Sequence, residues 1–165
     1  MRTLLVLRHA QSSWKHEDLS DHDRPLNKRG KRDAPRIGRL LMMKQLSPGA
    51  ILSSSAKRAC HTAEDVAEWS AFDGNVQLEP RLYLADPATI IGVVRRIDVD
   101  MQRLLVVGHN PGLEQLVARL TGVTKPLPTA ALVQIRLPIK RWKDLRLSTG
   151  GQLVSAWQPR TLDID

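Results

Sequence analysis

The sequence contains few of the features that mark secreted, membrane-spanning or nucleic-acid-stacking proteins. Its single cysteine, Cys60, excludes an internal disulfide and favours a reducing compartment. The apolar stretch from Leu4 to Leu7 is too short for a secretory signal, and no apolar run approaches a transmembrane helix in length. Aromatic residues make up only 4% of the chain, too few for the stacking surface of a single-strand binder. We therefore expect a cytoplasmic protein with no membrane association.

The composition is that of an ordinary globular protein. The chain has 165 residues, of which 42% are hydrophobic and 25% are charged. This length predicts one domain spanning residues 1–165, with a core large enough to need no disulfide or metal for stability.

The formal net charge of +8 raises the question of a polyanionic partner. Basic residues concentrate in a helical segment and near the C-terminus: Lys28, Arg29, Lys31, Arg32, Arg36, Arg39, and then Arg136, Lys140, Arg141, Lys143, Arg146. Such clusters of positive charge attract phosphoproteins, acidic protein surfaces or nucleic acid. They also occur without any partner, as solvent-exposed surfaces of helices and strands. Because aromatic residues are not interleaved with the basic runs, we do not expect dedicated nucleic-acid binding.

Three short apolar runs each end in side chains suited to anion chemistry. The run Leu4–Leu7 stops at Arg8 and His9, and the run 103–107 is followed by Gly108, His109 and Asn110. A third run, 50–52, leads through three serines to Arg58 at the start of a helical segment. The carboxyl ends of parallel strands meet at one edge of an α/β sheet, where helix N-termini also point. The pattern therefore predicts an anion site built from two histidines and two arginines.

Helical segments alternate with these strands. Asn27 is a predicted N-cap for a helix from Lys28 to about Lys44, which Pro35 should kink or split. The last third, with 131–137 and 152–157, is β-rich and predicts added strands at one side, which could run antiparallel to the others. The whole pattern indicates an α/β fold: a single-domain three-layer α/β/α structure with a mostly parallel central sheet.

These motifs resemble the histidine phosphatase (phosphoglycerate mutase-like) superfamily, and more closely its small SixA-type phosphohistidine phosphatases. The residues that carry the resemblance, from residue 1 to about Thr121, are Arg8, His9, Ala10, Ser12, Ser13, Trp14, Asp23, Arg24, Pro25, Leu26, Arg29 and Gly30, followed by Arg58 and the Gly108-His109 pair. The resemblance implies a phosphoglycerate mutase-like fold and a phosphatase that needs no metal or other cofactor.

The resemblance also implies roles for particular residues. His9 would attack phosphorus and form a covalent phosphohistidine, while Arg8, Arg58 and His109 hold the phosphoryl oxygens. A neutral His9 and a protonated His109 would serve this best, so the site should drive the two pKa values apart. Ser12 and Lys15 are candidate phosphate contacts, and Asn110 is a further candidate that could orient its turn.

One departure from the family bears on the substrate. Many relatives follow an Arg-Leu pair with a glutamate that protonates the leaving group, whereas this chain has Leu84 at that place and only the shifted Glu79 as a weak candidate acid. An alkoxide leaving group loses ~10²–10⁴ in rate without an acid. An imidazole needs much less help, so we expect phosphohistidine on a protein as the substrate.

Three other interpretations follow from the same residues. A broad phosphatase of small phosphorylated metabolites is the nearest alternative within the enzyme class. A metallohydrolase could draw ligands from His9, His16, His22, His61 and His109, but no metal-binding spacing occurs among them. A non-catalytic phosphate- or nucleic-acid-binding module would show salt-dependent binding and no turnover.

Overall fold

A computed structural model describes residues 1–98 and 100–162 of the chain. In chain order its strands and α-helices are β1 (Arg2–Arg8), α1 (Lys28–Met43), β2 (Ala50–Ser53), α2 (Lys57–Trp69), β3 (Gln77–Leu78), α3 (Pro87–Arg95), β4 (Arg103–Gly108), α4 (Gly112–Thr121), β5 (Leu132–Leu137) and β6 (Gln152–Trp157). Short 3₁₀ turns occur at Asp21–Asp23, Pro80–Leu82, Trp142–Asp144 and Pro159–Thr161. No helix among the described residues is long and apolar enough to cross a membrane.

The strands form one mixed sheet in the order β3-β2-β4-β1-β5-β6. The first four strands in this order are parallel, whereas β5 and β6 pair antiparallel beside β1. The prediction of added antiparallel strands in the last third of the chain is therefore confirmed. The parallel register aligns Arg8 with Gly108 at the carboxyl ends of β1 and β4.

Both faces of the sheet are covered, which confirms the predicted three-layer architecture. Successive residues of β1 point to opposite faces: Leu4 and Val6 belong to the apolar core beneath α3 and α4, and Leu5 and Leu7 to the core beneath α1 and α2. All four leucine and valine side chains are fully buried. A strand buried on both faces requires a continuous apolar run, which explains the sequence of β1.

Helix α1 begins as predicted and is not split. The Asn27 side chain accepts a hydrogen bond from the Gly30 amide at 2.9 Å, which caps the helix. Helix α1 then continues through Pro35 to Met43, so the expectation of a split is wrong. Proline removes the amide that would bond the carbonyl of Lys31, and Lys31 is an exposed residue on the water side of the helix.

Two glycines bring loops of the carboxyl edge into close contact with helix N-termini. A Cβ at Gly30 would lie 2.1 Å from the carbonyl oxygen of Gln11, and one at Gly112 would lie 1.8 Å from that of Ala85. Only glycine permits such approach. These contacts fix the segments after β1 and before α3 at the edge where the predicted anion site lies.

Candidate active site

The two histidines predicted to share a site are neighbours in the structure. Because β1 and β4 are adjacent and in register, His9 and His109 leave the sheet side by side, and the His9 amide donates to the Gly108 carbonyl at 3.1 Å. Their ring centroids are 5.1 Å apart. Both residues are buried, at 6% and 4% exposure.

The hydrogen bond of the His9 ring fixes which nitrogen can act as a nucleophile. Nδ1 lies 2.7 Å from the carbonyl oxygen of Ala10. A carbonyl can only accept, so Nδ1 carries the hydrogen and donates it. In the neutral ring the lone pair is therefore on Nε2.

Arg58 projects from the first turn of α2, directly after β2, and is almost fully buried. Its guanidinium donates to the backbone carbonyl of Asp21 at 2.6 Å and to the Asp21 carboxylate at 3.1 Å. A third, long contact of 3.5 Å joins the guanidinium to Nδ1 of His109. Nε of Arg58 is buried and has no hydrogen-bond partner among the described residues.

The contacts of His109 define its tautomer in the same way. A guanidinium can only donate, so Nδ1 of His109 is the acceptor in the contact with Arg58, and Nε2 carries the hydrogen. Nε2 donates to the hydroxyl of Ser54 at 2.7 Å, and the same hydroxyl accepts from the Ala56 amide at 3.2 Å. The serines after β2 thus orient the second histidine.

The pKa values of the two histidines move together and not apart. Burial, with smaller contributions from Arg58 and Arg8, lowers the pKa of His9 to about 4. Burial, followed by His9 and Arg58, lowers the pKa of His109 to about 3. The expectation of a protonated His109 is therefore wrong for the free site. The physical reason is that both rings are withdrawn from water and face the positive charges of Arg8 and Arg58.

Arg8 reaches the site from the last position of β1. Its guanidinium donates to the carbonyl of Leu127 at 3.0 Å, while its buried Nε has no partner among the described residues. Burial lowers the pKa of Arg8, and Glu114 opposes this shift. A buried donor without a partner is costly, and Arg8 is at the same time one of the residues that line the cavity described below.

Asn110 stabilises the loop at Leu127, whose carbonyl accepts a hydrogen bond from Arg8. Its side-chain amide donates at 2.8 Å to both the Glu114 carboxylate and the Leu127 carbonyl. The Leu127 amide in turn donates to Glu114 at 2.9 Å. Since the donors of Asn110 are already used, its geometry favours holding the turn over binding phosphate.

Ser12 and Lys15, the other predicted phosphate contacts, occupy different depths. The Ser12 hydroxyl is buried and accepts from Arg24 at 2.7 Å, which leaves its own hydrogen free to donate. Lys15 is exposed at the mouth. Both residues line the same cavity as the four predicted catalytic residues.

This cavity has a volume of about 400 Å³, and no carboxylate that would repel an anion lines it within the described part of the chain. Its lining residues are Arg8, His9, Gln11, Ser12, Ser13, Trp14, Lys15, Arg24, Asn27, Arg58, Leu84, His109, Asn110 and Thr129. The volume accommodates a phosphoryl group together with part of the molecule that carries it.

Glu79 does not lie among these lining residues. Its carboxylate accepts from the Arg81 guanidinium at 3.0 and 3.2 Å, and this pairing lowers its pKa. A carboxylate held ionised by an arginine has no proton to donate. Leu84, which follows in the same segment, lines the cavity instead.

Sequence reasoning missed three residues that organise the site: Asp21, Thr62 and Tyr83. The Asp21 carboxylate accepts from Tyr83, Arg58 and Arg24, and these hydrogen bonds lower its pKa to about 2. The buried Thr62 hydroxyl donates to the Arg58 carbonyl at 2.7 Å and accepts from the Ala10 amide at 2.9 Å. Asp21 thus clamps Arg58, and Thr62 joins α2 to the loop after β1.

No group of three or more histidine, cysteine, aspartate or glutamate side chains within residues 1–98 and 100–162 is arranged to hold a metal ion. The polar side chains that line the cavity are instead those of arginine, lysine, serine, threonine, asparagine and glutamine, together with the imidazoles of His9 and His109.

Comparison with known proteins assigns the family. Residues 4–83 match the model of the histidine phosphatase superfamily (branch 1), a range that includes His9 and Arg58. An uncharacterized protein of Mycobacterium leprae is 30% identical over 167 aligned positions, which cover 93% of this chain and 100% of that protein. The chain belongs to the histidine phosphatase superfamily. An uncharacterized chloroplastic protein of Arabidopsis thaliana is 35% identical over 144 residues, 81% of this chain and 66% of the plant protein.

The fold of this histidine phosphatase closely matches that of a solved structure. The protein histidine phosphatase SixA, complexed with tungstate, superposes with a TM-score of 0.82 and 22% identity over 98% of this chain and 99% of SixA. At this identity the likeness concerns the fold. The substrate has to be argued from the site, since one fold hosts many activities.

Proposed function

We propose that this histidine phosphatase hydrolyses phosphohistidine on proteins, through a covalent phosphohistidine on His9 and without a metal. The observation that carries the proposal is the fixed tautomer of His9. Its Nδ1 hydrogen is committed to Ala10, which leaves the Nε2 lone pair available in a cavity that Arg8 and Arg58 also line. An unprotonated imidazole and a preorganised cationic pocket are what phosphoryl transfer requires.

In the first step the Nε2 lone pair of His9 attacks phosphorus. The bond between phosphorus and the substrate imidazole breaks, and its electron pair returns to the substrate nitrogen. When the substrate ring carries a proton on its other nitrogen, it leaves as neutral imidazole, so no acid has to supply a proton. Arg8 and Arg58 stabilise the oxygens while the charge redistributes.

In the second step water attacks phosphorus and the bond to Nε2 breaks. The electron pair returns to Nε2, both hydrogens of the water leave with the phosphate as dihydrogen phosphate, and His9 returns to its neutral form. An anion in the pocket raises the pKa of nearby histidines, so we expect His109 to become easier to protonate once phosphate is bound.

No aspartate or glutamate lies among the described lining residues, which favours this substrate over a sugar phosphate. Glu79 is held by Arg81 outside the lining, and Leu84 lies at the cavity. An alcohol leaving group would need a proton from a side chain, a requirement worth ~10²–10⁴ in rate. The exposed mouth, with Trp14 and Lys15, suits a phosphoryl group borne on a protein.

A cytoplasmic location remains a prediction of this proposal.

The test is a comparison of kcat/KM on a phosphohistidine peptide and on glucose 6-phosphate, each with and without EDTA. We expect the peptide to be preferred by at least ~10²-fold, the size of the missing acid contribution, with no effect of EDTA. A preference for the sugar phosphate would identify a phosphatase of small metabolites. Loss of activity in EDTA would instead support metal-dependent hydrolysis.

A further inference from the structure

Two apolar side chains flank the mouth of the otherwise polar cavity. Trp14 is 77% exposed and Leu84 is 58% exposed, and both line the cavity. The indole of Trp14 lies on the loop after β1, whereas Leu84 lies on the loop before α3. Large exposed apolar groups beside a binding cavity are typical of a surface that contacts a ligand or partner.

Trp14 is held in place by a buried arginine. The guanidinium carbon of Arg24 lies 3.5 Å from the centroid of the indole ring. Arg24 is itself only 7% exposed, and it donates to the Ser12 hydroxyl at 2.7 Å and to the Asp21 carboxylate at 3.1 Å. The indole is therefore an exposed ring on a fixed support, and it loses little conformational entropy when a ligand stacks against it.

Leu84 occupies its position at a cost in backbone energy. Its φ of 50° lies in the left-handed region, which costs a leucine ~1–2 kcal/mol. No burial of its side chain offsets this cost, since the residue is mostly exposed. Strain of this kind, in a residue that lines a cavity, is a signal of a functional constraint on the side chain.

We infer that Trp14 and Leu84 form an apolar rim that selects the group carrying the phosphoryl, favouring a flat imidazole ring on a polypeptide over a hydrated polyol. This inference rests on the proposed function and adds the source of its specificity. Among the lining residues the donors Arg8 and Arg58 are the less exposed, whereas the apolar Trp14 and Leu84 are exposed, as is Lys15. A phosphohistidine side chain has a matching arrangement, because its anionic phosphoryl group is at the end and its imidazole ring lies between that group and the polypeptide. Sugar hydroxyls placed against the face of the Trp14 ring or against Leu84 would lose water without gaining hydrogen-bond partners from those surfaces.

The test compares two substrates that share a phosphorus–nitrogen bond and differ in what surrounds it. One is a phosphohistidine peptide and the other is phosphoramidate, which has no ring or chain to contact the rim. We expect Trp14→Ala to lower the ratio of kcat/KM for the peptide to that for phosphoramidate by about tenfold, the size of a lost aromatic contact. Trp14→Phe, which keeps a ring, should restore most of the ratio. Leu84→Asn, which tolerates the left-handed backbone but is polar, should lower it about threefold.

The matched control is Trp69→Ala. Trp69, at the end of α2, also pairs with an arginine, since the Arg39 guanidinium lies 4.5 Å from its ring, but it does not line the cavity. We expect this variant to keep the wild-type ratio. If the ratio were unchanged in Trp14→Ala, or fell equally in Trp69→Ala, the inferred role of the apolar rim would be contradicted. The proposed function would not be affected. Failure of the wild-type protein to hydrolyse either substrate would refute the proposed function itself and the rim with it.

Discussion

The two ends of β1 each carry an arginine, and the two differ in how well their donors are satisfied. Arg2, at the amino edge of the sheet, is 8% exposed and donates to the Lys140 carbonyl at 3.0 Å and to the Asp100 carboxylate. Arg8, at the carboxyl edge, donates to Leu127 and has a buried Nε without a partner among the described residues. Arg2 completes a structural contact, whereas Arg8 retains capacity for a ligand.

The two edges of the sheet also differ in the buried polar atoms of other residues. The described buried side-chain atoms without a partner are Nε of Arg8, Nε of Arg58 and Oδ1 of Asn110, and all three belong to residues of the cavity. An unsatisfied buried donor costs ~1–3 kcal/mol. Among the described residues, the carboxyl edge therefore carries an energetic cost of unsatisfied buried polar atoms that the amino edge does not.

The largest effect is expected when Arg2 and Arg8 are each exchanged for lysine, which tests whether the two edges of the sheet differ in function. Arg8→Lys keeps the charge and removes the planar fork, so we expect kcat/KM on phosphoramidate to fall by ~10²-fold or more. Arg2→Lys should leave kcat/KM within about twofold and lower the free energy of unfolding by ~1–2 kcal/mol, because a buried hydrogen bond is lost. Steady-state kinetics and urea unfolding measure the two effects. Equal losses of activity in both variants would contradict the functional difference between the edges.

The second prediction concerns the glycine that positions the loop after β1. Gly30→Ala would place a Cβ 2.1 Å from the Gln11 carbonyl, and we expect it to lower the free energy of unfolding by ~1–3 kcal/mol and to reduce activity. Gly92→Ala is the matched control, since its Cβ meets nothing within 4 Å, and it lies inside α3. This control should raise the free energy of unfolding by ~0.5–1 kcal/mol. Thermal or urea unfolding that ranks the two variants the other way would contradict the account.

The third prediction is the pH dependence of stability. The folded-state pKa values of His9 and His109, about 4 and about 3, lie below the unfolded value of 6.5. As pH falls below 6.5 the unfolded chain binds protons first, so the stabilising effect of the neutral histidines is present above pH 6.5 and is lost towards pH 3. Each histidine contributes a slope of at most ~1.4 kcal/mol per pH unit in this window.

Urea unfolding of the wild-type protein and of His109→Asn between about pH 4 and 7 measures this slope. We expect the variant to show a shallower rise of stability with pH. Identical slopes in the two proteins would contradict the assignment of a neutral His109.

The smallest expected effect comes from the clamp on Arg58. Asp21→Asn removes the charge that holds the guanidinium, so we expect kcat to fall by about tenfold, typical of a lost charged hydrogen bond, with a smaller change in thermal stability. Asp23→Asn is the control, because the Asp23 carboxylate lies 3.4 Å from the ring of the half-buried His22 and does not line the cavity. Asp21 acts through Arg58 and is a positioning residue, so raised KM with an unchanged kcat would contradict its role.

Local sequence patterns predicted most of the elements and the convergence of the two arginines and two histidines, which line one cavity in the structure. The cap at Asn27 and the strand ends at Arg8 and Gly108 depend on neighbours in the chain, and the structure contains each of them. The rest depends on contacts between distant residues. Asp21 and Tyr83 are separated by 62 positions and meet only because two loops converge at the carboxyl edge.

The pKa values of His9 and His109 could not be predicted from the sequence either, because they also depend on residues that are distant in the chain. Their shift depends on burial and on Arg58 facing both rings, which no spacing in the chain reveals. Pro35 illustrates a different difficulty. Proline signals a break, but the surrounding stripe of buried residues in α1, Ala34, Ile37 and Leu41, stabilises the continuous helix.

The most direct measurement is the site of the phosphoryl group during turnover. The protein is mixed with ³²P-labelled phosphohistidine peptide, quenched in alkali, in which phosphohistidine survives, and digested for mass spectrometry. We predict a label on His9, attached at Nε2, that is absent from His9→Ala. Label on His109, or steady turnover by His9→Ala, would contradict the claim that His9 is the nucleophile.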